Sequence, residues 1–273
     1  VTPLLDSHCH LTGYSDPVAV LRQATDASVD VVAVTEDPGE YRLLRTRLGR
    51  RPGVHAALGM HPLRARDFAP ADLARFLRMP PEATWIGEIG LDYSPTGRKT
   101  RRAQLRVFET VLADPRARAL PMTVHSRGAE EDTISRLAQA SAAAAILHWY
   151  TGPLALVDEA LAAGLWFSIN PAMTASAKGR TLIDAVPADR ILLETDGPFA
   201  RQGRRPARPA DLPASPPSGL SLPNTPPASS TTTSCASCKS ADATRLAAQA
   251  DAPVSPHANA HRTRSLLTKD DQT

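Results

Sequence analysis

Two histidines stand two residues apart in "DSHCH", as His8 and His10. In an extended strand alternate side chains share a face, so both imidazoles project to one side and Cys9 to the other. Neighbouring neutral imidazoles are natural metal ligands. A single H-x-H says little, but the pattern repeats. Glu88 in "IGEIGLDY", His125 in "MTVHSR", His148 in "AILHWY" and Asp196 in "LLETD" each close a short apolar run. A histidine or carboxylate in an apolar strand is costly unless it is hydrogen-bonded or coordinated. Together the four histidines and two carboxylates suit two divalent cations that share a bridging carboxylate. The nitrogen and oxygen donors fit Mg²⁺, Mn²⁺ or Zn²⁺ and include no thiolate. Two such ions roughly 4 Å apart can activate a water and stabilise both the attacking and the leaving oxygen of a phosphoryl centre.

The elements that must position these residues follow from periodicity. Eight apolar runs have strand length: "LLDSHCH", "VDVVAVT", "VHAALGM", "TWIGEIGL", "LPMTVH", "AAILHWY", "LWFSIN" and "RILLETD". Amphipathic stretches separate them. Asp16-Pro17 and Asp37-Pro38 each offer a helix N-cap followed by a proline suited to the first turn. "KTRRAQLRVFETVLA" sets Leu105, Phe108, Val111 and Leu112 on one stripe, and "GAEEDTISRLAQA", "GPLALVDEALAAG" and "ASAKGRTLIDAV" fill later gaps. Strict strand–helix alternation with right-handed crossovers implies a parallel sheet, and eight repeats predict a (β/α)8 TIM-type barrel. No glycine-rich phosphate loop follows the first strand, which disfavours a doubly wound sheet. The six candidate ligands then share the C-terminal rim, where such barrels carry their active sites.

With 273 residues, the chain accommodates one barrel of about 200 residues and an appendage. A net charge of +3 gives no global basic field, which argues against a protein that holds nucleic acid by charge alone. Three cysteines make no disulfide framework, and no apolar run spans a bilayer. The absence of a leader-like start predicts a soluble, cytoplasmic protein with no membrane partner. The expected domains are residues 1–200, a metal-dependent hydrolase barrel, and 201–273, a Pro/Ser/Ala-rich tail too poor in apolar residues to order itself. No stretch after Phe199 reads as a normal eighth helix, and a frameshift near Asp211 would account for that. Cys235 and Cys238 in the tail lack the second pair that a zinc site needs.

"DSHCHL", "GMHP", "GEIGLDY", "HSR", "HWYTG" and "LLETDGPF", in this order, resemble the TatD family of metal-dependent deoxyribonucleases, a branch of the amidohydrolase-like barrels. The likeness covers roughly Leu4 to Phe199. "WFSINPAMTASAKGRTL" and "ETDGPF" further resemble the TatD-like nuclease of the Qat anti-phage system. The resemblance implies that His8, His10, Glu88 and Asp196 hold one metal, and that Glu88 bridges to a second held by His125 and His148. It implies that Asp196 orients or deprotonates the attacking water. His61 in "GMHP" would contact a substrate phosphate or protonate the leaving group. Arg127 would contact phosphate. The implied substrate is DNA, at single strands or ends, with defence-system proteins as partners.

Other residues receive lesser expectations. Asp6 and Glu194 share strand parity with His8 and Asp196 and should sit one layer deeper, orienting a ligand. Trp149 and Tyr150 offer base-stacking rings, Lys178 a weaker phosphate contact, and the basic helix "RLLRTRLGRR" a backbone contact only if it lies near the mouth. His55, at a strand's start, reads as structural and Cys9 as core. Two other functions remain open at this point. One is an amidohydrolase acting on a small amide, ester or lactone. The other is an inactive or truncated binding subunit of a defence complex.

Overall fold

A computed structural model describes residues 3–78 and 83–213. Eight parallel strands follow one another around a barrel: β1 (Leu4–Cys9), β2 (Val29–Ala33), β3 (Val54–Leu58), β4 (Trp85–Gly90), β5 (Met122–His125), β6 (Ala145–Leu147), β7 (Trp166–Ile169) and β8 (Ile191–Leu193). Each pairs in parallel with the next. The helices outside them are α1 (Pro17–Asp26), α2 (Pro38–Leu48), α3 (Pro70–Leu77), α4 (Arg101–Ala113), α5 (Pro115–Arg118), α6 (Glu130–Gln139), α7 (Leu156–Ala162), α8 (Pro171–Ala175) and α9 (Ala177–Asp184). The anticipated caps form: Asp16 accepts from Ala19 N at 2.9 Å, and Asp37 from Gly39 N and Glu40 N at 2.7 and 2.9 Å. Sequence periodicity missed α3, α5 and α8, which are short.

Two apolar layers hold the barrel. Val32, Val34, Ala57, Trp85, Ile146, Trp166 and Leu192 form one buried cluster drawn from six strands, and only the barrel interior can bring them together. A larger cluster fills the space between strands and helices and contains Cys9, which is fully buried and on the side away from the site. Half-exposed His55 lies at the start of β3, 3.9 Å from the Asp30 carboxylate and remote from the rim.

Closure between β1 and β8 relies on few bonds. Ser7 Oγ donates to Leu193 O at 2.9 Å, Asp196 N to His8 O at 2.9 Å, and His10 N to Gly197 O at 2.8 Å. Beneath these, Thr195 donates twice to the buried Asp6 carboxylate, from N at 2.9 Å and from Oγ1.

The tail boundary differs from the sequence expectation. Residues 201–213 fold against the barrel: β9 (Arg201–Gln202) pairs antiparallel with β10 (Arg205–Pro206), and a short 3-10 turn follows at Pro209–Asp211. Ala207 and Leu212 are buried, Tyr14 Oη donates to Ala207 O, and Arg208 reaches Gln23 on α1 at 2.8 Å. The segment orders through backbone bonds and two small apolar anchors, which leave no periodic trace in sequence. Among the described residues no α-helix follows β8. The remaining tail, with Cys235 and Cys238, lies outside the described residues.

Candidate metal centre

Glu88 owes its position to the glycines flanking it. β4 shifts register against β5 between Ile86 and Ile89. Gly87 and Gly90 there adopt φ of 150° and 127°, and a Cβ on them would lie 2.1 Å from Thr123 Cγ2 and from His125 O. Only residues without a side chain permit this approach, and it turns the Glu88 carboxylate into the barrel mouth. A similar irregularity between Asp6 and Cys9 in β1 accompanies His8. His61, His125, His148 and Asp196 follow or end β3, β5, β6 and β8.

Five histidines converge on Glu88. Its Oε2 lies 3.1 Å from His10 Nε2, 3.4 Å from His61 Nε2 and 3.5 Å from His8 Nε2. Its Oε1 lies 2.7 Å from His125 Nδ1 and 3.2 Å from His148 Nε2. Asp196 Oδ1 stands 3.6 Å from His10 Nε2 and 3.7 Å from His8 Nε2. The structure thus brings together His10, His61, Glu88, His125, His148 and Asp196 in one cleft of ≈ 640 Å³, with His8 fully buried beneath it; the lining residues also include Leu63, Asp92, Arg127, Trp149 and Phe199.

Four of the five rings also face a polar group from behind. His8 Nδ1 meets Thr123 Oγ1 at 2.5 Å, and His148 Nδ1 faces Glu194 at 3.6 Å. His125 Nε2 meets Asp92 at 2.9 Å, and His61 Nδ1 accepts from Leu63 N at 3.3 Å. Fixing one nitrogen selects the tautomer and aims the other. Asp92 and Thr123 were missed in the sequence. The signal for Asp92 was its place in "GEIGLDY", four residues after Glu88; Thr123 left none. Glu194 sits under His148 as its strand position suggested, and its carboxylate accepts hydrogen bonds from Trp149 N at 3.0 Å, Asn170 Nδ2 at 3.1 Å and Ser168. Asp6 differs: it bonds the backbone N–H of His8 and Thr195 rather than an imidazole, because the irregularity in β1 breaks the simple alternation.

The electrostatics suit a cation. Burial pushes the Glu88 carboxyl up, but the surrounding histidines outweigh this and hold it well below the usual carboxylate range. Burial opposes charge on His148, yet Glu88 and Glu194 raise that ring well above its ordinary value. Burial raises Asp196 to about 7 and lowers His8 to about 3. The Nε2 atoms of His8 and His10 lie 3.2 Å apart, and the buried Oδ1 of Asp196 has no hydrogen-bond partner among the described residues. Facing nitrogen lone pairs beside an unpaired carboxylate oxygen are the donor set of a divalent cation. Trios at His8/His10/Glu88, His8/His148/Glu194 and His61/Glu88/His125 bring ligand atoms within 4.8 Å of one another.

The family model for TatD related DNase matches residues 5–216. The chain belongs to the TatD family. Among TatD relatives, deoxyribonuclease TATDN3 of Homo sapiens is 34% identical over 215 residues, covering 71% of this chain and 78% of the human protein. The uncharacterized metal-dependent hydrolase YabD of Bacillus subtilis is 30% identical over 206 residues, covering 72% and 80%. The 3'-5' ssDNA/RNA exonuclease TatD of Erwinia billingiae is 30% identical over 189 residues, covering 66% and 72%. The crystal structure of YJJV, a TatD homolog from Escherichia coli K12, shares the fold with a TM-score of 0.68 at 24% identity, covering 76% of this chain and 85% of that one. Family membership makes the chain a metal-dependent hydrolase of the deoxyribonuclease type. No helix among the described residues is long and apolar enough to cross a membrane.

The lesser candidates separate. Arg127 is exposed on the cleft wall and makes no ion pair among the described residues. Tyr150 is buried against Phe167, with its hydroxyl bonded to Pro153 O at 2.8 Å, so it offers no ring to a base. Lys178 instead donates to Thr151 O at 2.5 Å.

Proposed function

We propose that the chain hydrolyses phosphodiester bonds of DNA, removing nucleotides from single-stranded ends, with two divalent cations held at Glu88. The observation that carries this reading is how Glu88 divides its histidines. Oε2 faces His8, His10 and His61, whereas Oε1 faces His125 and His148. A carboxylate whose two oxygens serve two donor groups is a bridge. His8, His10, Glu88 and Asp196 would hold one ion; Glu88, His125 and His148 would hold the other, as Mg²⁺, Mn²⁺ or Zn²⁺. Bound cations of this kind lower the pKa of water and offset charge on phosphoryl oxygens.

The chain's own residues supply the rest. Asp196 Oδ1 has its acceptor capacity free to orient the attacking water and take its proton. His61 accepts at Nδ1, so its Nε2–H is left to donate a hydrogen bond toward the phosphate or the leaving oxygen. The Arg127 guanidinium matches phosphate oxygens at the cleft wall. The relatives named as deoxyribonucleases and as a 3'-5' ssDNA/RNA exonuclease support this substrate class.

The test compares the protein with Glu88→Gln, measuring metal content and nucleotide release from end-labelled single-stranded DNA with Mg²⁺ or Mn²⁺. The expected result is about two ions in the native chain, one or fewer in the variant, and loss of release. Folded native protein that releases nothing with any of these metals would overturn the reading. The likeness of "WFSINPAMTASAKGRTL" to the Qat nuclease extends the proposal to anti-phage defence with protein partners. In a phage-plating assay, protection by the native chain and none by Glu88→Gln is expected; equal plating would remove that role.

A further inference from the structure

Phe199 is the only aromatic residue among the described ones whose side chain is exposed, at 62%, and it lines the catalytic cleft. Large rings normally bury most of their surface, so this exposure calls for a ligand or a neighbour. Chain mobility does not account for it. Phe199 N donates to Asp196 O at 2.9 Å and Ala200 N to the same oxygen at 3.0 Å. On either side, His10 N bonds Gly197 O at 2.8 Å and Ala207 N bonds Ala200 O at 2.9 Å. Gly197 has no space for a side chain, since a Cβ would lie 1.9 Å from Tyr14 Oη and 2.3 Å from Ala207 O. The ring is presented at the rim by a fixed turn.

Its neighbourhood points to a nucleotide. The Phe199 ring meets His10 edge-to-face, with centroids 4.8 Å apart and planes at 81°. His10 Nε2 in turn is 3.1 Å from the Glu88 carboxylate. The ring is therefore one side chain removed from the point where a scissile phosphate would react. Of the two aromatic residues that follow β6, Trp149 reaches the cleft but packs partly against Ile169, Met173 and Ile191, and Tyr150 is buried. A cleft of ≈ 640 Å³ holds a nucleotide-sized ligand, with Arg127 and Leu63 among its other walls.

We propose that Phe199 stacks the base of the terminal nucleotide whose phosphate enters the metal centre, and so sets the enzyme's preference for base-bearing strands without selecting a particular base. This rests on the DNA-hydrolase reading above. Stacking on an aromatic side chain contributes to affinity about 10- to 100-fold per base and tolerates every base, because each has a π-face.

The experiment uses full-length protein and single-stranded oligonucleotides carrying either a normal or an abasic terminal nucleotide, with 2-aminopurine at the terminus in a parallel set. Metal content checks that each variant folds. The native chain should prefer the base-bearing end by about ten-fold or more in kcat/KM and quench 2-aminopurine on binding. In Phe199→Ala and Phe199→Leu the preference should collapse toward one and the quenching disappear, while Phe199→Trp should restore both. A preference and quenching in Phe199→Leu equal to those of the native chain would overturn the stacking role and leave the nuclease reading intact. Native protein that neither binds nor cleaves the oligonucleotides would overturn both.

Discussion

Asp92 holds His125 by its Nε2 at 2.9 Å, leaving the Nδ1 of the same ring 2.7 Å from Glu88. Asp92 is itself fixed: it is buried, its amide donates to Gln104 Oε1 at 2.8 Å, and Oδ1 accepts from Ser94 N at 2.8 Å. A carboxylate behind a ligating imidazole sets its tautomer and strengthens it as a donor. Asp92→Asn should weaken binding of the second cation by about 10- to 100-fold, read by metal titration, while the first cation remains. Unchanged affinity at both sites would show that Asp92 only packs.

His61 is backed by a main-chain amide, whereas His8 meets a hydroxyl and His125 a carboxylate. The Nδ1 of His61 is spent on Leu63 N, so Nε2 carries the proton and faces Glu88 as a donor at 3.4 Å. His61→Ala should therefore keep the native metal content and lower kcat by about 10²-fold or more, the range for loss of a hydrogen-bond donor to developing charge. A fall in metal stoichiometry would make His61 a ligand instead.

The β1–β8 seam depends on Thr195. Its Oγ1 and N both donate to the buried Asp6 carboxylate. Thr195→Val keeps the shape but leaves a buried oxygen without its donor, a loss of about 1–3 kcal/mol. Denaturant unfolding should record a lower midpoint at unchanged slope. An unchanged midpoint would mean that the backbone bonds and residues 201–213 close the seam by themselves.

Asp114 connects α4 to α5, accepting from Arg116 N at 2.9 Å and from its guanidinium at 2.6 Å. Those Arg116 bonds hold its carboxyl below the ordinary value near 3.8. A depressed folded pKa gives stability that is present above the unfolded value and is lost as pH falls through the folded one. Arg116 is 58% exposed, so solvent screens much of the pairing. Asp114→Ala should cost about 1 kcal/mol at pH 7, chiefly through the lost cap, and flatten the decline of stability below about pH 4. Parallel curves for the two proteins down to pH 2 would contradict this.

The barrel was legible because eight strand-length apolar runs alternate with amphipathic stretches, and the gathering of His8, His10, Glu88, His125, His148 and Asp196 because each closes such a run. Short α5 and α8 were not, since four or five residues carry too few periodic positions to stand out, and α3 was missed with them. Asp6 was misplaced because parity assumes a regular strand, and β1 is irregular between Asp6 and Cys9.

By itself, then, the sequence determined the (β/α)8 order and which residues reach the C-terminal rim, since both follow from local periodicity and strand direction. Tertiary structure alone decided how Glu88 divides its histidines and which ring nitrogen each partner occupies. It also decided that Asp92 and Thr123 stand behind His125 and His8, that Phe199 faces outward, and that residues 201–213 pack against α1. These are contacts between segments distant along the chain, and no period along one segment encodes the distance to another.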